Sequence, residues 1–201
     1  MSLQDVTTFA LFKEVIDSEF INKHCKPRIP NDLNKILIVD ANSMSFLREI
    51  IKSSQLTSKG FITTQDINVL LQPLPIHLIY FIEPTTNNIK IIVDTFSDPK
   101  SPFLTAHIFT TTKISEDAIK MIRSQPILVA KLMTLKELPF SFTVEAPNIF
   151  TLAPYMTIPF IYNSKSACEN TVQDISTRIM NLLSVMNDCP SVRYMASSSF
   201  C

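Results

Sequence analysis

The chain is an α/β protein on its sequence: a doubly wound, mainly parallel sheet of five strands with helices on both faces. Three features carry that reading. Short β-branched apolar runs alternate with segments of helical periodicity, the pattern that parallel strands joined by crossover helices impose. The runs Lys35 to Asp40 and His77 to Ile82 are apolar without alternation, as strands covered on both faces are. Hydrophobic residues make up 46% of 201 positions against 18% charged, enough to fill one core and begin another.

Taken in order, Asp5 to Ile21 sets Val6, Phe9, Phe12, Val15, Ile16 and Phe20 on one helical face. Pro27 and Pro30 end that helix and lead into the first strand, Lys35 to Asp40. Ser43 or Asn42 caps the next helix, whose buried stripe is Met44, Leu47, Ile50 and Ile51. Gly60 permits a turn into a short strand, Phe61 to Thr64, and His77 to Ile82 is the next strand, stopped by Pro84. Asn88 to Phe96 is ambiguous. Its residue types favour strand, yet Ile89, Ile92, Val93 and Phe96 have helical spacing behind Thr85 and Thr86, and helix is the expectation.

Leu104 to Thr110 reads as a strand, and Ser115, Glu116 and Asp117 open a helix with a cap and first-turn acids. Leu128 to Leu138 reads as helix, and Phe140 to Val144 alternates like a fifth strand. Pro147 to Pro159 reads as a loop-rich connection. After it, Val172, Ile175, Ile179, Leu182, Leu183 and Met186 form the apolar stripe of a long helix with no sheet to cover. The expected organisation is one α/β domain over residues 1–146, then a linker and the beginning of a second, truncated domain over 147–201.

Composition excludes more than it suggests. Eighteen basic residues balance eighteen acidic ones, so there is no cationic excess to neutralise phosphates, and nucleic acid is not an expected partner. The one basic cluster, Lys23 to Arg28, reads as a solvated surface run. Cys25, Cys168, Cys189 and Cys201 show no metal-type spacing, which points to free thiols in a reducing cytosolic setting. No metal or cofactor is expected. The chain has a single glycine, Gly60, so neither of the glycine-rich loops that let backbone N–H groups approach phosphate exists.

Asp40 is the one candidate for chemistry. An aspartate closing the first strand is placed as a phosphoacceptor would be, but magnesium chemistry needs further carboxylates, and Asn42 stands where a second one belongs. The plainer reading is that Asp40 caps a helix or lines a polar cleft. His107 lies inside an apolar strand as a core or edge residue, and His24 and His77 have no matching partners. A non-catalytic binding module is the expectation.

An ordered set of phrases resembles the Sec/Munc family of syntaxin-binding proteins: Lys35 to Asp40 followed by Ser43 and Met44; Asp66 to Asn68; Gln72 to Pro75; Ile79 and Tyr80; Pro84 and Thr85; Ala106 to Thr110; Leu135 to Leu138 with Phe142; and Pro190 to Tyr194. The resemblance implies a Rossmann-like first domain without nucleotide chemistry, from the N-terminal part of a longer protein. It implies a regulator of vesicle docking and membrane fusion, cytoplasmic, bound to a syntaxin-type SNARE, and meeting membranes only through that partner.

Two surfaces follow from the resemblance. Ile119, Leu132, Leu135 and Glu137 match an outer pocket for the N-terminal peptide of a syntaxin. Asp40, Met44 and Lys52 match a central cleft for the folded syntaxin, while Ser45, Gln65 and Val69 depart from cleft positions that are charged in neuronal members. On the residues alone, Ile119, Leu132 and Leu135 also fit simple packing between helices with Glu137 solvated. Two alternatives stay open: a magnesium-dependent phosphoryl-transfer domain using Asp40, and a scaffold domain whose partner is not a SNARE.

Overall fold

The two strands with unbroken apolar runs are two of the three inner strands of a five-stranded sheet in the computed structural model, which describes residues 5–7, 35–58, 60–138, 140, 142–146, 149–152, 165–187, 190, 191 and 193. Strand β1 (Lys35–Val39) and strand β3 (His77–Ile82) are buried along their whole lengths. With β2 (Phe61–Asp66), β4 (Thr105–Thr110) and β5 (Leu132–Glu137) they form a sheet of order β2-β1-β3-β4-β5. Every pairing is parallel. The order reverses between β1 and β3, the point at which such sheets offer a crevice at their carboxyl ends.

Helix α1 (Ala41–Ile50) follows β1, and α2 (Ser53–Ser58) precedes Gly60, whose φ of 85° makes the turn into β2. The cap of α1 is Asp40, as its plainer reading has it, and neither Asn42 nor Ser43, which lie two and three positions further on: its Oδ1 accepts the Ser43 N–H at 2.7 Å. Helix α3 (Thr86–Thr95) forms at the ambiguous segment. Thr85 caps it, and Ile89, Ile92 and Phe96 are fully buried, so helical spacing prevailed over β propensity. Helix α4 (Glu116–Arg123) is capped by Ser115 with Glu116 and Asp117 in its first turn.

One expected helix is largely a strand. Only α5 (Pro126–Lys131) is helical in the stretch after Gln125, and β5 begins at Leu132. Leu132, Leu135 and Leu138 have the i, i+3 spacing of a helix face, but β4 would otherwise present an unpaired backbone edge, and pairing along it outweighs local preference. The expected fifth strand is correspondingly displaced. Strand β6 (Thr143–Ala146) overlaps only its end and pairs antiparallel, in a separate two-stranded sheet, with β7 (Ile149–Thr151), which lies within the expected loop.

The core on one face gathers Ile38, Leu78, Tyr80 and Ile108 of the sheet with Ile89, Ile92 and Phe96 of α3 and Ile122 of α4. On the opposite face Phe46 of α1 packs against Phe81 of β3, ring centroids 6.3 Å apart. A polar ladder also crosses the strands. His77 Nδ1 meets Thr105 Oγ1 at 2.8 Å, Thr105 Oγ1 meets His107 Nε2 at 3.2 Å, and His107 Nδ1 meets Thr134 Oγ1 at 3.0 Å. All four residues are buried, so His107 is a hydrogen-bonded core residue, as polar groups at that depth must be.

The chain divides into two compact units, residues 8–138 and residues 139–201 with 1–7. In the second, α6 (Lys165–Met186) is seven residues longer at its start than the apolar stripe suggested, and Asn187 closes it at φ 53°. Leu182 is buried, while Val172, Ile179, Met180 and Met186 are exposed. Cys168 is disulfide-bonded, which corrects the expectation of four free thiols: spacing alone does not reveal which cysteines approach each other. The other three cysteines, and the expected helix beyond Thr7, lie outside the described residues.

Candidate functional site

Asp40 stands at the reversal point of the sheet, and its carboxylate is already engaged. Oδ1 accepts the Ser43 N–H, and Oδ2 accepts the Glu83 N–H at 2.6 Å and the Asn88 Nδ2 at 3.1 Å. Asn88 also donates to Glu83 O at 2.9 Å, and Asn42 Nδ2 reaches Glu83 Oε2 at 3.1 Å. One buried carboxylate thus ties the end of β1 to the end of β3 and the starts of α1 and α3. That is a capping strut, with both oxygens committed to fixed donors. Among the described residues, no group of three or more His, Cys, Asp and Glu is placed to hold a metal ion.

Three of the four outer-surface candidates, Leu132, Leu135 and Glu137, share one face of β5 through a device the sequence did not show. In a straight strand, residues three apart point to opposite faces. Here the register shifts: Leu132 pairs with Ala106, Thr134 with His107, Leu135 with Ile108 and Glu137 with Thr110. Met133 therefore stands opposite no residue, as the extra residue of a bulge does. The shift brings Leu132, Leu135 and Glu137 to the face that carries Ala106 and Ile108. Ile119 of α4 and Leu132 are half-buried against the core on that face.

Leu135 remains 40% exposed. The exposed Glu137 accepts the Ile114 N–H through Oε1 at 3.0 Å, which anchors its carboxylate beside the entry to α4. The arrangement is a shallow apolar step with a fixed anion at its end. A sequence scan misses Met133, whose value lies in being unpaired, and Ile114, which contributes only its backbone.

The other three candidates lie elsewhere in the same unit. Met44 is half-buried and lines a crevice of about 360 Å³ between α1, α2 and β2, with Leu47, Ile51, Leu56 and Phe61. Lys52 is exposed just beyond α1, its backbone N–H held by Gln55 Oε1 at 2.9 Å. Asp40 adjoins Met44 through the Met44 N–H to Asp40 O bond of 2.8 Å. This group belongs to β1 and its neighbours, and β5 is three strand spacings away, about 14 Å. Ser45 and Val69 are exposed and Gln65 half-exposed. No helix of the described residues is long and apolar enough to cross a membrane.

Comparison with known proteins gives one consistent answer. The model of the Sec1 family matches residues 35–201. The protein transport protein sec1 of Dictyostelium discoideum is 26% identical over 190 residues, which cover 92% of this chain and 32% of that protein. Protein SLY1 of Saccharomyces cerevisiae is 24% identical, over 96% of this chain and 31% of its own length. The chain spans about a third or less of the curated relatives it matches. Among solved structures, Sly1p in complex with an N-terminal peptide of Sed5p aligns at TM-score 0.77 and 20% identity, over 93% of this chain and 34% of that one. The Unc18–syntaxin 1 complex of Monosiga brevicollis aligns at TM-score 0.69 and 23% identity, over 93% of this chain and 31% of that one. At these identities the structural likeness speaks for the fold.

Proposed function

The chain belongs to the Sec1 family, and on that premise we propose that it is a non-catalytic SNARE-binding module acting in vesicle docking and membrane fusion. The observation that carries the reading is the bulge in β5. It collects Leu132, Leu135 and Glu137 on one face beside Ile119, making an apolar step closed by an anchored carboxylate. Such a step suits the N-terminal peptide of a syntaxin-type partner: an aliphatic anchor over Leu132 and Leu135, followed by a basic residue against Glu137. Full burial of one aliphatic side chain contributes about 1.5–3 kcal/mol. A hydrogen bond to the charged rim contributes a further ~1.5–3 kcal/mol. The solved structure of Sly1p, similar in fold, holds an N-terminal peptide of Sed5p, which supports the same mode here.

Met44 and Lys52 form a second contact region for the folded partner, with Asp40 holding the strand ends from which that region projects. The module works by binding energy, needs no cofactor or metal, and sits on the cytoplasmic side of membranes through its partner. Residues 1–146 form the family's first domain and 147–201 begin the second.

Calorimetric titration with syntaxin N-terminal peptides from the same organism tests the reading. Saturable binding is expected, lost in Leu135→Asp and weakened about tenfold in Glu137→Gln, which keeps the acceptor for Ile114 and removes the charge. Leu135 is exposed enough for its variant to fold. Peptide binding that Leu135→Asp leaves intact refutes the outer-surface assignment. Absence of all peptide binding shifts the contact to the Met44 and Lys52 region.

A further inference from the structure

Strand β2 is one edge of the five-stranded sheet, and among the described residues no strand pairs with its outer side. One bond fixes the phase of its backbone. The Ile67 N–H donates to Val39 O at 2.8 Å, so Gln65 and Thr63, at alternate positions, also turn their backbone groups towards β1, while Thr64 and Asp66 turn theirs away. Asp66 O accepts the Val69 N–H at 3.0 Å, and Thr64 O accepts the Thr63 hydroxyl at a long 3.4 Å. The Thr64 and Asp66 N–H groups therefore point outward as donors, with the Thr64 carbonyl between them as an acceptor. Such a row is a template for one more strand.

We propose that this edge and the crevice beside it bind an extended segment of a protein partner by strand addition, reading an aliphatic side chain and a carboxylate on one side of that segment. Backbone pairing supplies the attachment, and side chains at alternate positions supply the selectivity. Thr64 stands opposite Leu37, on the face where Phe81 packs against Phe46 of α1. Side chains of an added strand on that face enter the crevice of about 360 Å³ between α1, α2 and β2. Leu47, Ile51, Leu56 and Phe61 give it apolar walls, and the exposed Arg48 is the one charged residue lining it. A guanidinium with no carboxylate among the lining residues selects an anion, and the exposed Lys52 adds a second positive charge. A free small molecule fits the volume but uses none of the outward backbone groups. A second copy brings its own β2, whose Asp66 carboxylate is held by the Asn68 N–H at 2.8 Å. Its bulge, which leaves Ile62 opposite no residue, also bends the edge away from regular pairing with itself. The inference goes beyond the proposed SNARE contacts at β5, the opposite edge of the sheet, and stands or falls separately from them.

The test is an amide-detected NMR titration of the 201-residue chain with two hexapeptides of opposite direction, acetyl-TLTETT-amide and acetyl-TTETLT-amide, and with isovalerate as a small anion. Saturable shifts of the Thr64 and Asp66 amides are expected for one hexapeptide, with a dissociation constant on the order of 1 mM for so short a segment. Lysine in place of its glutamate should weaken binding about threefold, and that difference should vanish in Arg48→Ala. N-methylation of the hexapeptide at one alternate set of residues should abolish binding and at the other set leave it intact, as only strand pairing requires. Thr64→Pro, a change that an outward-facing edge N–H tolerates, should abolish it as well. The proposal is overturned by the absence of saturable shifts with both hexapeptides, by binding that survives Thr64→Pro, or by N-methylation that acts equally at both sets. Isovalerate binding as tightly as the hexapeptides would mark a small-molecule site, and a concentration-dependent dimer lost in Thr64→Pro would seat a second copy on the edge; either overturns it equally.

Discussion

Replacing Asp40 by asparagine separates a capping strut from a reactive carboxylate. The amide has the same shape but offers one acceptor where three donors converge. With its oxygen towards the Ser43 N–H, its NH₂ faces the Glu83 N–H and Asn88 Nδ2, which Asp40 Oδ2 now accepts at 2.6 and 3.1 Å. The opposite rotamer leaves Ser43 facing a donor. Flipping Asn88 would restore one contact at the expense of its bond to Glu83 O. In the better rotamer one charge-assisted bond is lost outright and the other two become neutral, in a site only 8% exposed. At about 1.5–3 kcal/mol for the lost bond and about 0.5–1 kcal/mol for each weakened one, the expected loss is roughly 2.5–5 kcal/mol.

That is a large part of a typical domain stability of about 5–15 kcal/mol. It should appear in urea denaturation as a lower midpoint with an unchanged slope. A variant within about 1 kcal/mol of wild type, below the value of one such bond, would refute the strut. Magnesium with beryllium fluoride distinguishes the alternative: the wild-type melting temperature should not move, and a rise would return Asp40 to aspartyl-phosphate chemistry.

Two further outcomes follow from buried polar groups. Burial raises the pKa of the Tyr80 phenol, and the neighbouring Thr95 hydroxyl offsets only part of that rise. The unfolded phenol ionises near pH 10 while the folded one keeps its proton, so this contribution is intact below about pH 10 and lost as pH climbs above it. Tyr80→Phe should match or exceed wild-type stability at neutral pH and gain on it in alkaline denaturation titrations; a variant that is much less stable at neutral pH would show that the hydroxyl is paired. Thr134→Val removes one rung from the His77–Thr105–His107–Thr134 ladder and should cost about 0.5–1.5 kcal/mol, read as a lower melting temperature; no change would mean that the ladder contributes nothing at that rung.

Legibility in the sequence followed burial. His77 to Ile82 could be bounded to the residue because both of its faces are covered, and an apolar run between two breakers has one natural reading. The strand expected over Phe61 to Thr64 stops two residues short of β2, since Gln65 and Asp66 pair with β1 through their backbones and their side chains carry no strand signal. Leu132 to Glu137 reads as helix in the sequence because i, i+3 spacing is shared by a helix face and by a bulged strand, and only the waiting edge of β4 decides between them. The strut at Asp40 was half legible. A cap was foreseeable from the residue type, whereas its bonds to Glu83 and Asn88 span 43 and 48 residues and exist only once β1 and β3 are adjacent. The candidate residues of β5 rest on phrase resemblance alone, and their common face exists only in the register.

The unpaired Met133 makes the face of β5 indifferent to the loss of one residue. Many apolar or polar residues would serve at an unopposed position, so substitution there should be tolerated among relatives. Its removal should be tolerated too: Leu132 and Leu135 would then stand two apart, the spacing that puts both side chains on one side of a regular strand, and their pairing with Ala106 and Ile108 would run on without a bulge. A gap at this position when related chains are aligned therefore does not mark a different surface, whereas a residue lost between Leu135 and Glu137 does, because the carboxylate then falls on the side opposite the two leucines.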